Sequence, residues 1–371
     1  MSLIQLTTVS PDETLIRLPH PYPTEYTVHK ATQTKDTQPL FQIVPKKPIP
    51  QLSFDLHNAQ LRFSEPADLK SSELPSPSNN GAWARARRSP CVTASWDGEA
   101  PPSLAQAWLL LYVLFTVRPS MEALRLELQG HGASVLANQL KDVLLAVEHP
   151  QPSPKQADPA SPIASSPSHV TVLALRSTFW QGAGSPFGPR PVWCPEESPS
   201  SLHKIGRPLS SYPLTPVEHT ITVSSAGDPQ DPDRYQQTWH PIRPAKPAPG
   251  TVIYSRWIPH LKETFSMVSL DWQDEEHLCL FHEWQNDPRV SQGWNETGTL
   301  EQHREYLRKM HVDPHQVAVL AKWDDAYFAY FEIYWAKVSK DSNSPLLLRD
   351  TCPDNTLTHL GGPSGRLFRC R

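Results

Sequence analysis

Two stretches decide the fold of this 371-residue chain. Residues 281–290 read Phe-His-Glu-Trp-Gln-Asn-Asp-Pro-Arg-Val, and residues 328–337 read Phe-Ala-Tyr-Phe-Glu-Ile-Tyr-Trp-Ala-Lys. The first lies on a predicted helix over Glu275–Asn286, because its apolar side chains recur every three or four residues. The second lies on a predicted strand over Tyr327–Trp335, where successive side chains point to opposite faces of a sheet.

The residues around these two stretches extend the same pattern. Thr251–Trp257 is a predicted strand, and Leu300–Lys309 is a predicted helix with Thr297-Gly298-Thr299 as its N-cap region. Val317–Lys322 is a strand that precedes Tyr327–Trp335, and Trp323-Asp324-Asp325 forms the turn between them. The predicted order is strand, helix, helix, strand, strand.

The N-terminal part of the chain mixes both element types. Leu104–Thr116 is a predicted buried helix, and Ala133–Val147 is a predicted amphipathic one. Val170–Leu175 is rich in β-branched residues and predicts a strand, as does Thr220–Val223. These elements predict a mixed α/β domain that precedes the C-terminal pattern.

Proline-rich stretches divide the chain. It contains 41 prolines among 371 residues, about twice the usual share of roughly 5%. Loops are expected near residues 64–91 and 149–169, and a linker is expected over 228–250, since proline breaks helices and sheet ladders. The predicted organisation is a domain over 1–227 with those two disordered loops, the linker, and a second domain over 251–337.

Composition excludes several classes of protein. The net charge of -4 does not fit a strongly basic nucleic-acid binder. The five cysteines form no CxxC pair, which is typical of a reduced intracellular protein without a structural zinc site. The longest apolar run, Ala107–Val117, is too short to span a bilayer. No metal site and no bound cofactor are expected.

The two stretches also carry a resemblance to a known family. With Trp294, Tyr306-Leu307 and Asp313-Pro314, they resemble the siderophore-biosynthesis acyltransferases. These include bacterial N-hydroxylysine acetyltransferases and fungal N5-hydroxyornithine acyltransferases. The similarity is clearest over Pro241–Lys337, and it extends to the fungal forms through Phe179–Gly188.

The resemblance implies an α/β (α+β) fold with a GNAT acyltransferase domain. The implied reaction transfers an acyl group from acyl-CoA to the hydroxylamine nitrogen of N5-hydroxyornithine, which yields a hydroxamate. The implied partners are these two substrates and other siderophore-pathway enzymes. The expected location is the cytoplasm, with peroxisomes as an alternative.

Candidate substrate-binding residues follow from the two stretches. Strand alternation places Tyr330, Glu332 and Tyr334 on one face, and the apolar residues between them form the core on the other. Glu332 is a candidate for the ammonium group of the substrate, and Arg289 for its carboxylate. The full set of candidates is His282, Trp284, Asn286, Arg289, Tyr330, Glu332, Tyr334 and Lys337.

Each candidate also has a purely structural interpretation. His282 and Trp284 fit a core or surface role, and Asn286 fits the end of a helix before Pro288. Arg289 fits a local ion pair, Glu332 a structural hydrogen bond, and Lys337 a solvated position. The basic cluster Arg85–Arg88 fits a solvated loop, with contact to an anion or a targeting receptor as the alternative.

After Lys337 the sequence departs from the family. The stretch over 338–371 lacks a recognisable helix or strand pattern and is expected to be a disordered tail. The catalytic residues and the CoA-binding loop of the family have no counterpart here, so the domain is expected to be truncated and inactive. An intron read through in the gene model is one explanation. A non-catalytic binding or scaffold protein is the alternative function.

Overall fold

The computed structural model describes residues 15–20, 24–35, 38–46, 56–143, 145–151, 169–180, 219–225, 235–241, 246–313, 316–335 and 356–361. They group into two compact units. The first contains the described residues up to Trp180 together with residues 256–262, and the second contains the other described residues.

The N-terminal unit is built on an eight-stranded sheet in the order β1-β2-β3-β4-β5-β6-β8-β7. Neighbouring strands are antiparallel except for β5 and β6, which run parallel. The strands are β1 Leu15–Arg17, β2 Glu25–Lys35, β3 Gln38–Pro45, β4 Arg62–Ser64, β5 Cys91–Ser95, β6 Ala123–Gln129, β7 Val147–Glu148 and β8 His169–Leu175.

Four α-helices accompany this sheet among the described residues, and α2 is almost entirely buried. They are α1 Ala82–Arg88, α2 Leu104–Val117, α3 Ala133–Asp142 and α4 Arg176–Trp180. Helix α2 connects the parallel strands β5 and β6, because a parallel pair needs a crossover. All its residues except Gln106 are buried, and the Gln106 side chain closes a capping box with Ser103. The predicted buried helix is therefore present.

Two proline-rich stretches contain more regular structure than the sequence predicted. Residues 64–91 were expected to be a disordered loop, but they include helix α1 with Arg85, Arg87 and Arg88. The expected linker 228–250 includes strand β10 Tyr235–Pro241, which pairs antiparallel with β9 His219–Ser225. In both stretches the prolines lie outside the element or at its last residue, so they do not interrupt its hydrogen bonds. The expected loop over 152–168 lies outside the described residues.

The C-terminal unit contains a five-stranded sheet in the order β11-β12-β13-β14-β15. Its strands are β11 Val252–Ile258, β12 Glu263–Ser269, β13 Gln316–Trp323, β14 Ala326–Trp335 and β15 Thr356–Gly361. The last three residues of β11 are grouped with the first unit. Between β12 and β13 lie three helices, which are α5 Glu275–Asn286, α6 Pro288–Trp294 and α7 Leu300–Val312.

Most of the predicted C-terminal elements are present. Helix α5 has its predicted bounds, and α7 begins at Leu300 after a capping box between Thr299 and Gln302. Asp324 adopts a φ of 45° in the turn between β13 and β14, a conformation that Asp tolerates. Strand β12 and the short helix α6 were not predicted.

The C-terminal sheet buries different side chains on its two faces. One face packs against α5 and α7 through an aromatic and aliphatic cluster of Leu270, Leu278, Phe281, Trp284, Leu307, Leu320 and Tyr330. The opposite face carries a smaller apolar cluster of Ile253, Val317, Val319, Ala321, Ala329 and Phe331. The candidate residues of β14 therefore lie on the helix-covered face.

Two further features complete this unit. Lys246 Nζ donates to the backbone carbonyls of Met310, His311 and Asp313, which satisfies the C-terminal end of α7.

The tail was expected to lack a strand, but Thr356–Gly361 pairs with β14, and His359 lies opposite Glu332 in the backbone register. The other residues after Trp335 lie outside the described ones. Among the described helices, none is long and apolar enough to cross a membrane.

Candidate functional site

The candidate residues of β14 share one face, as the alternation predicted. Glu332 is only 1% exposed, and Tyr330 is 2% exposed. Tyr334 is half-buried at the end of the strand. Phe331 and Ile333 point the other way, into or against the opposite apolar cluster. A buried carboxylate therefore lies between two tyrosines.

Three phenol groups donate hydrogen bonds to this carboxylate. Tyr330 and Tyr306 each place their hydroxyl 2.7 Å from Oε1 of Glu332. The Tyr334 hydroxyl donates to Oε2. Tyr306 comes from helix α7 and was not among the predicted site residues. We call Tyr306, Tyr330, Glu332 and Tyr334 the Tyr–Glu cluster.

The electrostatics of the Tyr–Glu cluster keep its phenols protonated. Burial, followed by the adjacent Glu332 charge, raises the pKa of Tyr306 and of Tyr330 above that of free tyrosine. Burial also raises the pKa of Tyr334, with its hydrogen bond to Glu332 as the next cause. No Lys, Arg or His forms an ion pair with Glu332 among the residues that the structure describes. A cation that approached this cluster would therefore meet the negative charge of Glu332, which no described residue offsets by an ion pair.

A second polar group joins helices α5 and α7. Nδ1 of His282 lies 2.9 Å from Nδ1 of His303, and Nε2 of His303 lies 2.9 Å from the carbonyl oxygen of Glu296. A carbonyl oxygen only accepts hydrogen bonds, so Nε2 of His303 carries a hydrogen. Nδ1 of neutral His303 is then the acceptor, and Nδ1 of His282 donates to it. We call His282 and His303 the histidine pair.

Burial favours the neutral form of His303. Desolvation lowers the pKa of His303, and the neighbouring His282 lowers it further. The Asn286 amide nitrogen lies 3.1 Å from Nδ1 and 3.4 Å from Nε2 of His282, a position over the ring face and not in its plane. It therefore leaves the bond between the two histidines in place.

One aromatic ring connects the histidine pair to the Tyr–Glu cluster. The Phe281 ring centroid lies 5.3 Å from that of His303, 5.8 Å from Tyr306 and 4.8 Å from Tyr330. The two polar groups therefore belong to one continuous cluster between α5, α7 and β14. This arrangement brings together four of the predicted residues, which are His282, Tyr330, Glu332 and Tyr334.

Three other candidates have local structural partners. Trp284 is buried in the core cluster of the helix-covered face. The Asn286 side chain exchanges two hydrogen bonds with the backbone of Gly298. Arg289 is exposed and donates to both carboxylate oxygens of Asp287, which holds the pKa of Asp287 at about 2. Lys337 lies outside the described residues.

Sequence reasoning missed His303 and Tyr306. Both lie on α7, on the side that faces α5 and the sheet, and the i, i+3 spacing from His303 to Tyr306 was the available signal. The described residues contain no group of three or more His, Cys, Asp or Glu side chains placed to hold a metal ion.

Comparisons with known proteins agree with this architecture. A family model described as an acetyltransferase (GNAT) domain matches residues 273–344. That range contains helices α5 to α7 and strands β13 and β14, and so the whole histidine pair and Tyr–Glu cluster. The expected GNAT acyltransferase domain is thereby confirmed.

Several fungal proteins are similar over most of the chain. The N(5)-hydroxyornithine:cis-anhydromevalonyl coenzyme A-N(5)-transacylase SIDF of Beauveria bassiana is 67% identical over 338 residues, which are 90% of this chain and 73% of that protein. The hydroxyornithine transacylase SID3 of Ajellomyces capsulatus is 44% identical, over 88% of this chain and 71% of that protein. The putative O-acetyltransferase SAT14 of Stachybotrys chartarum is 59% identical, over 91% and 73%. The chain belongs to the N5-hydroxyornithine transacylase family of siderophore acyltransferases.

Proposed function

We propose that this chain takes N5-hydroxyornithine as acceptor and acyl-CoA as donor, and that the Tyr–Glu cluster forms part of the acceptor site. The observation that carries this proposal is a buried Glu332 carboxylate held by three phenols, with no ion-paired cation among the described residues. The acceptor carries an ammonium group, which would supply the missing positive charge.

The burial of Glu332 shapes its role. Its carboxylate accepts hydrogen bonds from the three phenols, so we expect these phenols, and not the carboxylate, to contact the ammonium group. A phenol oxygen that donates to Glu332 keeps lone pairs that can accept from an ammonium N–H. Tyr306 and Tyr334 are half-buried, and Tyr334 lies next to the last residue of β14. Glu332 is therefore a positioning residue, and Tyr334 is the expected contact.

The reaction asks little acid–base help from the protein. A hydroxylamine is largely unprotonated near neutral pH, so its nitrogen lone pair is ready to attack the thioester carbonyl carbon. The new C–N bond forms, the C–S bond breaks, the nitrogen loses its proton, and CoA leaves as a thiol. Orientation of nitrogen against thioester supplies much of the acceleration. No catalytic residue is assigned.

The remaining predicted residues have supporting roles in this proposal. His303, whose neutral form burial favours, adds no positive charge next to a cationic acceptor. Trp284 and Asn286 fix the position of α5, which carries His282. Arg289 would have to leave Asp287 before it could bind the carboxylate of the acceptor. The role of Lys337 as a substrate ligand stays a prediction.

Calorimetric titration of the full chain with N5-hydroxyornithine tests the acceptor site. Glu332→Gln keeps the size of the side chain and removes its charge, and we expect about tenfold weaker binding, or roughly 1.4 kcal/mol. Glu305→Gln is the matched control, because Glu305 lies on the same helix as Tyr306 but pairs with Arg308 at the surface. Equal affinities for wild type and Glu332→Gln would refute the proposal.

A turnover assay tests the reaction separately. The expectation that this chain does not turn over stays a prediction, and its test is hydroxamate formation from N5-hydroxyornithine and acetyl-CoA. Hydroxamates form coloured Fe(III) complexes, whereas O-acyl products do not, so the assay also identifies the acceptor atom. Turnover at an ordinary enzymatic rate would contradict the prediction of inactivity. A cytoplasmic or peroxisomal location, and contacts with other pathway enzymes, stay expectations.

A further inference from the structure

A cavity of about 510 Å³ lies in the N-terminal unit, outside the site described above. Its volume falls within the range of roughly 300–1,000 Å³ that is common for small-molecule sites. Arg85 and Arg88 line it from helix α1, and Arg118 lines it from the C-terminal end of α2. Asp68 and Glu122 supply its acidic side chains. We call this the arginine cavity.

The charges of this lining do not cancel. Arg118 pairs with Glu65, and Glu122 pairs with Arg176. Among the residues that the structure describes, neither Arg85 nor Arg88 has a carboxylate within ion-pair distance. Asp68 is the one acidic side chain of the lining without such a pair among them. The lining therefore keeps an excess of positive charge.

Neutral groups hold the two arginines in place. Arg85 Nη1 donates to the Asn80 carbonyl at 2.7 Å, and Arg88 Nη2 donates to the carbonyls of Asn79, at 2.7 Å, and Ser76. Backbone carbonyls orient a guanidinium without neutralising it, and its other N–H groups stay available. Such preorganisation lowers the side-chain entropy that the protein loses when a ligand binds.

A further guanidinium, that of Arg125, lies behind the lining. Arg125 is 2% exposed, and its Nε donates to the carbonyl of Ser89, which lines the arginine cavity. Its Nη2 has no hydrogen-bond partner among the described residues, and Glu127 offsets part of its charge. A charge buried in low dielectric acts over a longer distance than a solvated one.

We infer that the arginine cavity binds a small phosphate-bearing molecule. Guanidinium groups recognise phosphate through paired N–H donors, and a concave wall concentrates their positive potential. The sequence alone favoured a solvated loop at Arg85–Arg88 and left contact with an anion as an alternative. The structure places Arg85 and Arg88 on one wall of this cavity. The carboxylate of Asp68 repels an anion in this cavity and so lowers the affinity of the cavity for phosphate.

Titration of the full chain with sodium pyrophosphate at low ionic strength tests this inference. We expect saturable binding that weakens as salt is added. Arg85→Gln should weaken it about tenfold, since one charge contact is lost. Asp68→Asn should strengthen it several-fold. Both side chains are exposed, so neither change disturbs the core.

The control is Arg308→Gln, which makes the same change in an exposed ion pair of the C-terminal unit. Its pyrophosphate affinity should equal that of the wild type. The inference is wrong if no saturable binding occurs, if Arg85→Gln and Arg308→Gln behave alike, or if Asp68→Asn weakens binding. The opposite signs expected for Arg85 and Asp68 separate a site from general destabilisation.

Discussion

The two faces of strand β14 bury side chains by different means. On one face, Phe331 joins an apolar cluster whose members need no partners beyond contact. On the other face, Glu332 is buried as deeply as any apolar residue, but three phenols must accompany it. Packing tolerates small changes of shape, whereas a buried polar network fails when one member loses its partner. The apolar face therefore serves stability, and the polar face is the one that can serve a ligand.

Removal of the carboxylate should have the largest effect on stability. Glu332→Ala leaves the hydroxyls of Tyr306 and Tyr334 without their acceptor, whereas Tyr330 keeps Met310 Sδ at 3.3 Å. At about 1–3 kcal/mol for each lost acceptor, we expect a total loss of about 4 kcal/mol. Urea unfolding measures it. The double variant Glu332→Ala/Tyr306→Phe should recover part of the loss, because it removes a hydroxyl that donates to Glu332. A loss below about 1 kcal/mol would mean that water replaces the carboxylate.

Truncation on the apolar face should have a somewhat smaller effect. Phe331→Ala removes a ring that is 8% exposed, and we expect a loss of about 3 kcal/mol in the free energy of unfolding. The affinity for N5-hydroxyornithine should not change in the folded protein, since this ring points away from the Tyr–Glu cluster. A change in affinity as large as that of Glu332→Gln would remove the distinction between the faces.

The same contrast explains what the sequence could predict. Alternation alone assigned Tyr330, Glu332 and Tyr334 to one face, because a strand has a fixed period of two. It could not identify Tyr306, which lies 26 residues before Glu332 and reaches it only through the packing of α7 on the sheet. The contact between His282 and His303 is non-local for the same reason.

Missed elements have local causes. Strand β12, Glu263–Ser269, mixes polar and apolar residues without a clear alternation, and its pairing with β13 determines its structure. Helix α6 follows α5 directly, since Asp287 ends one helix and caps the next. Pro288 then takes the first position of α6, where its missing N–H costs nothing. A proline that ends one helix in the sequence can thus begin another.

A milder change on the polar face should affect binding more than stability. Tyr334→Phe removes one donor to Glu332 at a half-buried position, and we expect a loss of about 1 kcal/mol in stability. The affinity for N5-hydroxyornithine should fall several-fold, because Tyr334 is the expected contact of the ammonium group. Tyr327→Phe is the control, since Tyr327 bonds His277 at the other end of the same strand. Equal losses of affinity in both variants would contradict the assigned contact.

The smallest expected effect is a dependence of stability on pH. Burial lowers the pKa of His303 below its value in the unfolded chain, so the folded protein favours the neutral ring. This contribution is complete above the unfolded pKa of about 6.5 and is lost as the pH falls towards the folded pKa. Urea unfolding between pH 8 and pH 5 should therefore show a decline in stability that His303→Gln reduces. His311→Gln changes an exposed histidine of the same helix and should leave the decline intact. If the stability of both variants declined with pH in parallel with the wild type, the proton released on folding would come from a group other than His303.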